Sequence, residues 1–368
     1  MTLGDGTPHV CEVAIAGGGP AGATVGRILA GWGFDVVVIA APEGEKAGEV
    51  IGPEAVHILD ALGLTELFSQ SPEIATRCDG VVSYWPSSSM DHSDHRLRGT
   101  YGWVIDRSRL GMALMKLALE NGCRWLYGAV TTCRKLDPSR YQLSVNTHDE
   151  AQVVEAKFVV DATGRTGSIV RRLGARRIVD DRLIAATACL DRITSHPDPH
   201  LRFTATPDGW WYCSDGPAGD TRVALIGDPG LDSGQPQALG GALRQILQKI
   251  HQACQSNELA SRISILDASS ARLDRCAQDG WLAVGDAATA FDPLCGQGLA
   301  QAFGSALAAA HAIHECSAGN ADALVAYDHA MQGTYSHSRA QLELRYAYRA
   351  QTERTPFWRA RMRPSVAV

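Results

Sequence analysis

The sequence predicts an α/β protein: a Rossmann-like domain, discontinuous along the chain, with an inserted β-rich domain and a C-terminal helical tail. Three observations predict it. An apolar run, Val10 to Ala16, ends in glycines, passes into a helix-like stretch, Ala21 to Trp32, and returns on a second apolar strand, Phe34 to Ile39. Strand, glycine turn, helix and strand in so short a span is the βαβ unit of a nucleotide-binding fold. From Leu183 to Ile226 the pattern is strand-like, with Gly, Pro and Asp at the turns. Two further buried strands, Phe158 to Val160 and Trp281 to Val284, each run into a glycine-rich turn.

The remaining elements follow in order. Pro53 to Leu64 reads as one helix, with Val56, Leu59, Leu62 and Leu64 spaced for an apolar face. Val81 to Trp85 and Gly102 to Ile105 read as strands on either side of a polar, His-rich loop. Arg109 to Asn121 reads as a helix stopped by Gly122. Short strands follow at Trp125 to Val130, Tyr141 to Val145 and Val153 to Ala156. Leu239 to Cys254 and Gln297 to Ile313 read as helices, and Ala321 to Arg361 as a charged helical tail. The expected division is 1–75, 106–175 and 270–320 for the nucleotide-binding domain, 76–105 and 176–269 for the β-rich domain, and 321–368 for the tail.

Composition narrows the function classes. The 368 residues carry 34 Lys+Arg against 40 Asp+Glu, a net charge of −6 that disfavours nucleic-acid binding. No run of apolar residues is long enough for a membrane span. The Met1 to Val10 segment has no basic cluster and apolar core of a signal peptide. The ten cysteines are scattered with no C-x-x-C pair, which points to free thiols in a reducing cytoplasm.

Three glycine-rich sites carry the chemistry. Gly17-Gly18-Gly19-Pro20-Ala21-Gly22 is a G-x-G-x-x-G between strand and helix. Gly17 permits the turn, Gly19 lets a pyrophosphate approach the backbone, and Gly22 lets the helix pack on the sheet. The acidic residue expected to end the second strand and bind a ribose is absent: Ala40 stands there, with Glu43 a few residues on. The second site, Asp161-Ala162-Thr163-Gly164-Arg165-Thr166-Gly167, puts Asp161 at a strand end, a position suited to a cofactor contact. The third is Gly285-Asp286, then Pro293 and Gly296-Gln297-Gly298, which opens a long helix whose free N–H groups suit an anion.

In that order, over residues 10 to 315, these motifs resemble the FAD-dependent hydroxylase superfamily, which includes aromatic hydroxylases, geranylgeranyl-type reductases and flavin-dependent halogenases. The resemblance implies an FAD-binding domain. Gly17, Gly19 and Gly22 would hold the pyrophosphate, Asp286 would contact the ribityl–phosphate region, and the helix start at Gly296, Gln297 and Gly298 would face the pyrimidine edge of the flavin. Pro20, Ala21, Arg107, Asp161, Gly164, Gly285 and Pro293 complete the cofactor set. Gly48-Glu49-Val50-Ile51-Gly52-Pro53, Gly209-Trp210-Trp211-Tyr212 and Pro356-Phe357-Trp358 resemble the halogenase-like flavoproteins, including those that mature cysteine-tryptophylquinone enzymes, and add Glu49 to the cofactor set. Tryptophan halogenases carry a lysine downstream of the Gly-Glu stretch; here no lysine lies between Lys46 and Lys116, and the W-x-W-x-I-P signature is absent. Halogenation is therefore disfavoured.

The resemblance implies a monooxygenase that hydroxylates an aromatic, indole- or phenol-like substrate through a flavin hydroperoxide, with NAD(P)H or a separate flavin reductase as electron donor. The substrate would be a small metabolite or a Trp of a partner protein. A carbon–carbon double-bond reductase or dehydrogenase is the second reading, and a degenerate binding subunit, suggested by Ala40, the third. No catalytic acid, base or metal is identified. Trp210, Trp211 and Tyr212 are candidates to line the substrate cavity, with ordinary sheet packing equally open. Met90-Asp91-His92-Ser93-Asp94-His95 reads as a solvated hairpin tip rather than a metal site, and His311 and His314 as helix surface. Arg345, Arg349, Arg354, Arg359, Arg361 and Arg363 read as a solvated face before a docking one.

Overall fold

The computed structural model describes residues 8–41, 49–85, 91–95, 100–148, 150–191, 198–229, 241–245 and 263–361, with the backbone alone at 91–94 and 191. The chain enters on β1 (His9–Ala16), turns into α1 (Pro20–Gly31) and returns on β2 (Val36–Ala40). Every residue of β2 is buried, and β1 is buried on both faces toward its end, as a strand covered by helices requires. Next come β3 (Glu49–Ile51), α2 (Val56–Ala61), α3 (Leu64–Gln70), β4 (Ala75–Cys78), β5 (Gly80–Tyr84), β6 (Asp91–Asp94), β7 (Gly102–Ile105) and α4 (Arg107–Glu120).

Two expectations fail in this stretch. The helix expected to reach Leu64 stops after Ala61, because Gly63 takes φ +65° and a separate helix starts at Leu64. Its apolar spacing is nonetheless used, with Leu59, Leu62 and Leu64 buried. Asp91–Asp94 is not a loop tip: it pairs with β5, Val82 opposite His92.

The middle of the chain gives β8 (Arg124–Tyr127), β9 (Ala129–Asp137), β10 (Arg140–Asn146), β11 (Ala151–Asp161) and α5 (Ser168–Arg172). The strands expected at 153–156 and 158–160 are one element, β11, and the strand expected at 125–130 is divided between β8 and β9. Then follow β12 (Arg177–Val179), β13 (Ile184–Asp191), β14 (His200–Thr206), β15 (Gly209–Asp215), β16 (Asp220–Gly227) and β17 (Ile263–Asp267). After them come β18 (Ala271–Leu273), β19 (Ala277–Gln278), β20 (Trp281–Ala283), β21 (Thr289–Ala290), α6 (Gly298–Ser317), α7 (Ala323–Ala350) and α8 (Pro356–Ala360). Of the helix expected at 239–254 only residues 241–245 are described, and these are helical.

The principal sheet has a parallel core in the order β20-β11-β1-β2-β8, extended by the antiparallel β10 and β9 and edged by β19. Its register aligns Ala16 with Asp161 and Ile39, and Asp161 with Ala283, so the three glycine turns leave the sheet at one edge. A second, seven-stranded sheet runs β17-β13-β16-β15-β14-β5-β6, joining strands from both sides of the first lobe's middle segment. The antiparallel β3-β7-β4 forms a small sheet of its own. α7 and α8 lie over one face of the seven-stranded sheet, where Tyr335, Leu342, Tyr346, Phe357 and Trp358 share a core with Trp210 and Ile226. No helix among the described residues is long and apolar enough to cross a membrane.

Candidate functional site

A cavity of about 650 Å³ lies at the carboxyl ends of β1, β2, β11 and β20, where parallel sheets place ligands. Gly17, Gly19, Pro20 and Ala21 line it together with Glu49, Arg107, Gly164, Gly285, Asp286 and Gly298, so residues far apart in sequence converge. The first turn is held close: Gly17 takes φ +113°, and a Cβ there would collide with the carbonyl of Ala162. A Cβ on Gly22 would meet the carbonyl of Gly17, so Gly22, buried under the turn, serves the close passage of helix and loop. Gly19 is the N-cap of α1 and no side chain caps the helix, which leaves its first N–H groups to whatever enters the cavity.

Arg107 and Glu49 meet at 2.8 Å on the cavity wall. The register of β3 against β7 explains the pairing: Glu49 stands opposite Ile105, two residues before Arg107. Asp106 caps α4 by accepting from the Arg109 N–H at 2.9 Å, and this fixes the direction in which Arg107 leaves the helix. Opposite them Arg165 donates to the carbonyls of Ser269 and Phe291 at 2.7 and 2.9 Å, and its Nε lies 3.5 Å from Asp286. Arg165 and Asp267 also line the cavity. The motif reading carried Arg165 within the second glycine-rich stretch without giving it a role, and passed over Asp267, whose place depends on β17 returning from the second sheet.

Asp161 stands elsewhere than a cofactor contact requires. It is fully buried, outside the cavity lining, and accepts from the N–H groups of Thr163, Ile169 and Val170 and from the Thr163 hydroxyl at 2.6 to 3.0 Å. A carboxylate so saturated anchors the turn and the start of α5. The position expected to carry a ribose acceptor also differs: Ala40 is buried under Gly18, and the residue reaching the cavity is Ala41. Glu43 lies outside the described residues.

The Asp292–Gln297 turn is gripped by α7 at three points. Tyr346 donates to Asp292 at 2.7 Å, Arg345 to the Leu294 carbonyl at 2.9 Å, and Ser338 to the Gln297 side chain at 2.7 Å. Gln297 is thereby turned away from the helix end, and α6 starts without a side-chain cap. Pro293 and Gln297 line neither cavity; Gly298 lines the first.

A second cavity, of about 330 Å³, adjoins the same segments. Val50 to Glu54 and Leu294 to Gly296 form part of its wall, while Glu49 and Gly298 border the first cavity. Val81, Leu201, Trp85 and Phe203 give it an apolar, aromatic interior. The aromatic residues expected to line a substrate cavity, Trp210, Trp211 and Tyr212, line neither of these two cavities. Trp210 is completely buried and donates to the Tyr346 hydroxyl at 3.1 Å. Trp211 packs on the opposite face with Val223 and Leu225, as strand alternation requires. Tyr212 stands behind the wall, its ring 5.8 Å from Phe203. Its hydroxyl is pushed up to about 12, first by burial and then by the charge of Glu49. The sequence offered no signal that Trp85 and Phe203 line one cavity, which follows from β5 pairing with β14.

The tail arginines also depart from the solvated reading. Arg361 pairs with Asp228 at 2.5 Å and lies 3.7 Å over the Phe357 ring, and Arg349 lies over Trp358. Arg354 and Arg359 are exposed, and Arg363 is outside the described residues. His311 and His314 are exposed and pack against Trp32, the first tilted and the second edge-on. The described cysteines are all free, and burial pushes Cys295 up to about 12, which keeps it a protonated, inert thiol.

Comparison with known proteins agrees with this geometry. "Putative FAD-dependent oxidoreductase LodB" from Marinomonas mediterranea is 24% identical over 366 residues, covering 95% of this chain and 96% of that one. Among solved structures, the flavin-dependent halogenase CmlS superposes with a TM-score of 0.85 at 24% identity, over 98% of this chain and 68% of that one. QhpG, described as a peptidyl tryptophan dihydroxylase essential for tryptophylquinone cofactor biogenesis, gives 0.79 at 21% identity, over 97% and 80%. The family described as "FAD binding domain" matches residues 10–343, and the chain belongs to it.

Proposed function

We propose that this FAD-dependent oxidoreductase is a monooxygenase that hydroxylates an indole- or phenol-like ring. The first cavity would hold the cofactor and the second the ring, carried by a small metabolite or by a tryptophan of a partner protein. The observation that carries the reading is the shared wall: the segments 49–54 and 294–298 border both cavities, so a ring in the second lies beside whatever the Gly298 end of the first contains.

The residues present fit FAD. The glycine cradle leaves backbone room beside an uncapped helix start, and Arg107 has a buried Nε with no partner among the described residues. When bound, FAD supplies the redox chemistry, including the activation of dioxygen. The N–H groups of α1 hold the pyrophosphate. Arg107 binds on the wall, oriented by Glu49. The uncapped start of α6 stabilises negative charge at that end of the cavity without reorganising, because α7 fixes the turn before it. Trp85, Phe203, Val81 and Leu201 exclude water and orient the ring by its faces. The absence of a lysine between Lys46 and Lys116 supports hydroxylation over halogenation.

The test is the visible spectrum of the FAD-loaded protein during anaerobic addition of NADPH. A bound flavin that bleaches, directly or once an aromatic is added, supports a self-sufficient oxidoreductase. One that bleaches only with a flavin reductase assigns the donor to a separate protein. Failure to retain FAD contradicts the reading.

A further inference from the structure

The second cavity is apolar inside but has a sparse set of polar side chains, and their chemistry differs sharply. Two are thiols: burial pushes Cys295 up to about 12 and raises Cys78, so both stay protonated and accept weakly. Arg345 donates to the Leu294 carbonyl and has no acceptor capacity. Ser83 is neutral, as a hydroxyl, and His95 completes the set. Glu54 is the one carboxylate among the described lining residues.

The local backbone aims this carboxylate. Gly52 begins the short turn Pro53–Ala55, and a Cβ on Gly52 would collide with both carboxylate oxygens of Glu54. The side chain is therefore folded back over Gly52, itself a lining residue, rather than extended into solvent. It does not cap the turn, and no hydrogen bond or ion pair among the described residues occupies it. A glycine thus makes room for an acceptor whose lone pairs remain available at the exposed end of an aromatic-lined cavity.

We propose that Glu54 is the specificity-determining acceptor of the substrate cavity, selecting aromatic rings that carry an N–H or O–H. The inference rests on the second cavity being the substrate cavity. The ring enters between Trp85 and Phe203, and its polar edge meets Glu54 at the mouth. A ring whose nitrogen or oxygen is methylated fills the same apolar space but cannot donate to Glu54, so it lacks the charge-assisted hydrogen bond that an N–H or O–H ring makes. Accepting from the N–H or O–H also draws electron density into the ring, which favours electrophilic attack on it.

The experiment is calorimetric titration of the FAD-loaded wild type, Glu54→Gln and Glu54→Leu with indole against 1-methylindole, and with phenol against anisole. The wild type binds the N–H or O–H member of each pair about tenfold more tightly, the lower end for a hydrogen bond to an exposed charged group. Glu54→Leu loses the discrimination while keeping the affinity for the methylated member, and Glu54→Gln retains part of it. The flavin absorbance of each variant reports that the fold is intact. Equal affinities in the wild type, or discrimination that survives Glu54→Leu, overturn the role of Glu54 and leave the substrate cavity standing. Binding of none of the four compounds overturns the substrate cavity with it.

Discussion

The hydroxyl of Tyr346 donates to the carboxylate of Asp292 at 2.7 Å, both side chains lying in the core. The same hydroxyl accepts from Nε1 of Trp210 at 3.1 Å. One phenol therefore joins the C-terminal helix, the seven-stranded sheet and the turn from which α6 starts. The tail is part of the site's architecture, because the turn it holds borders the second cavity and leads into Gly298 at the first.

Tyr346→Phe keeps the ring but strands two buried polar groups. The expected cost is about 1–3 kcal/mol for the unpaired partners. Urea denaturation measures it, and the same variant retains FAD less tightly because the start of α6 loses one of its three holds.

Asp292 sets a pH dependence of stability. Burial, the largest cause, raises its carboxyl from 3.8 to about 6, partly offset by the bonds from Leu294 and Tyr346. The folded state thus holds a proton that the unfolded state has released, so this contribution is full below about pH 4 and is lost as pH rises through about 6. A shift of this size corresponds to roughly 3 kcal/mol. The stability of the wild type relative to Asp292→Asn therefore falls between pH 4 and 6, and denaturation of both proteins across that window checks it.

Gly17 and Gly18 separate a backbone collision from a side-chain one. A Cβ on Gly17 meets the Ala162 backbone at a left-handed φ, whereas one on Gly18 meets the Trp125 ring and the Ala40 methyl. Gly17→Ala abolishes FAD retention, and Gly18→Ala weakens it without abolishing it, because an indole ring moves more readily than a strand end. Absorbance of the desalted, FAD-supplemented variants gives the comparison.

Arg107→Lys preserves the charge but not the planar fork, and the pair with Glu49 depends on that geometry. FAD affinity falls by about tenfold, as for a lost charge-assisted hydrogen bond. Fluorescence quenching of FAD on titration measures it.

The parallel core and its glycine turns were legible in the sequence because each is a local pattern: an apolar run, a glycine where the backbone must pass closely, and a helix behind it. Gly17, Gly285 and Gly298 reach the same cavity as that pattern requires. Asp161 misled because a carboxylate at a strand end looks the same whether it faces a ligand or caps the next turn. Only its four bonds distinguish the two. Trp210 misled for a related reason: alternation identifies which residues share a face, and the cover over that face comes from α7 and α8, more than a hundred residues later. Trp85, Phe203 and Glu54 were illegible, since their cavity arises from pairing between distant strands and from a fold-back over Gly52.

The most direct measurement is mass spectrometry of the products when the FAD-loaded protein, a reductant and indole are incubated under ¹⁸O-labelled dioxygen, with and without chloride. The account predicts an indole product carrying one labelled oxygen, formed equally with or without chloride. A chlorinated product, a reduced ring formed without oxygen uptake, or oxygen drawn from water would contradict it.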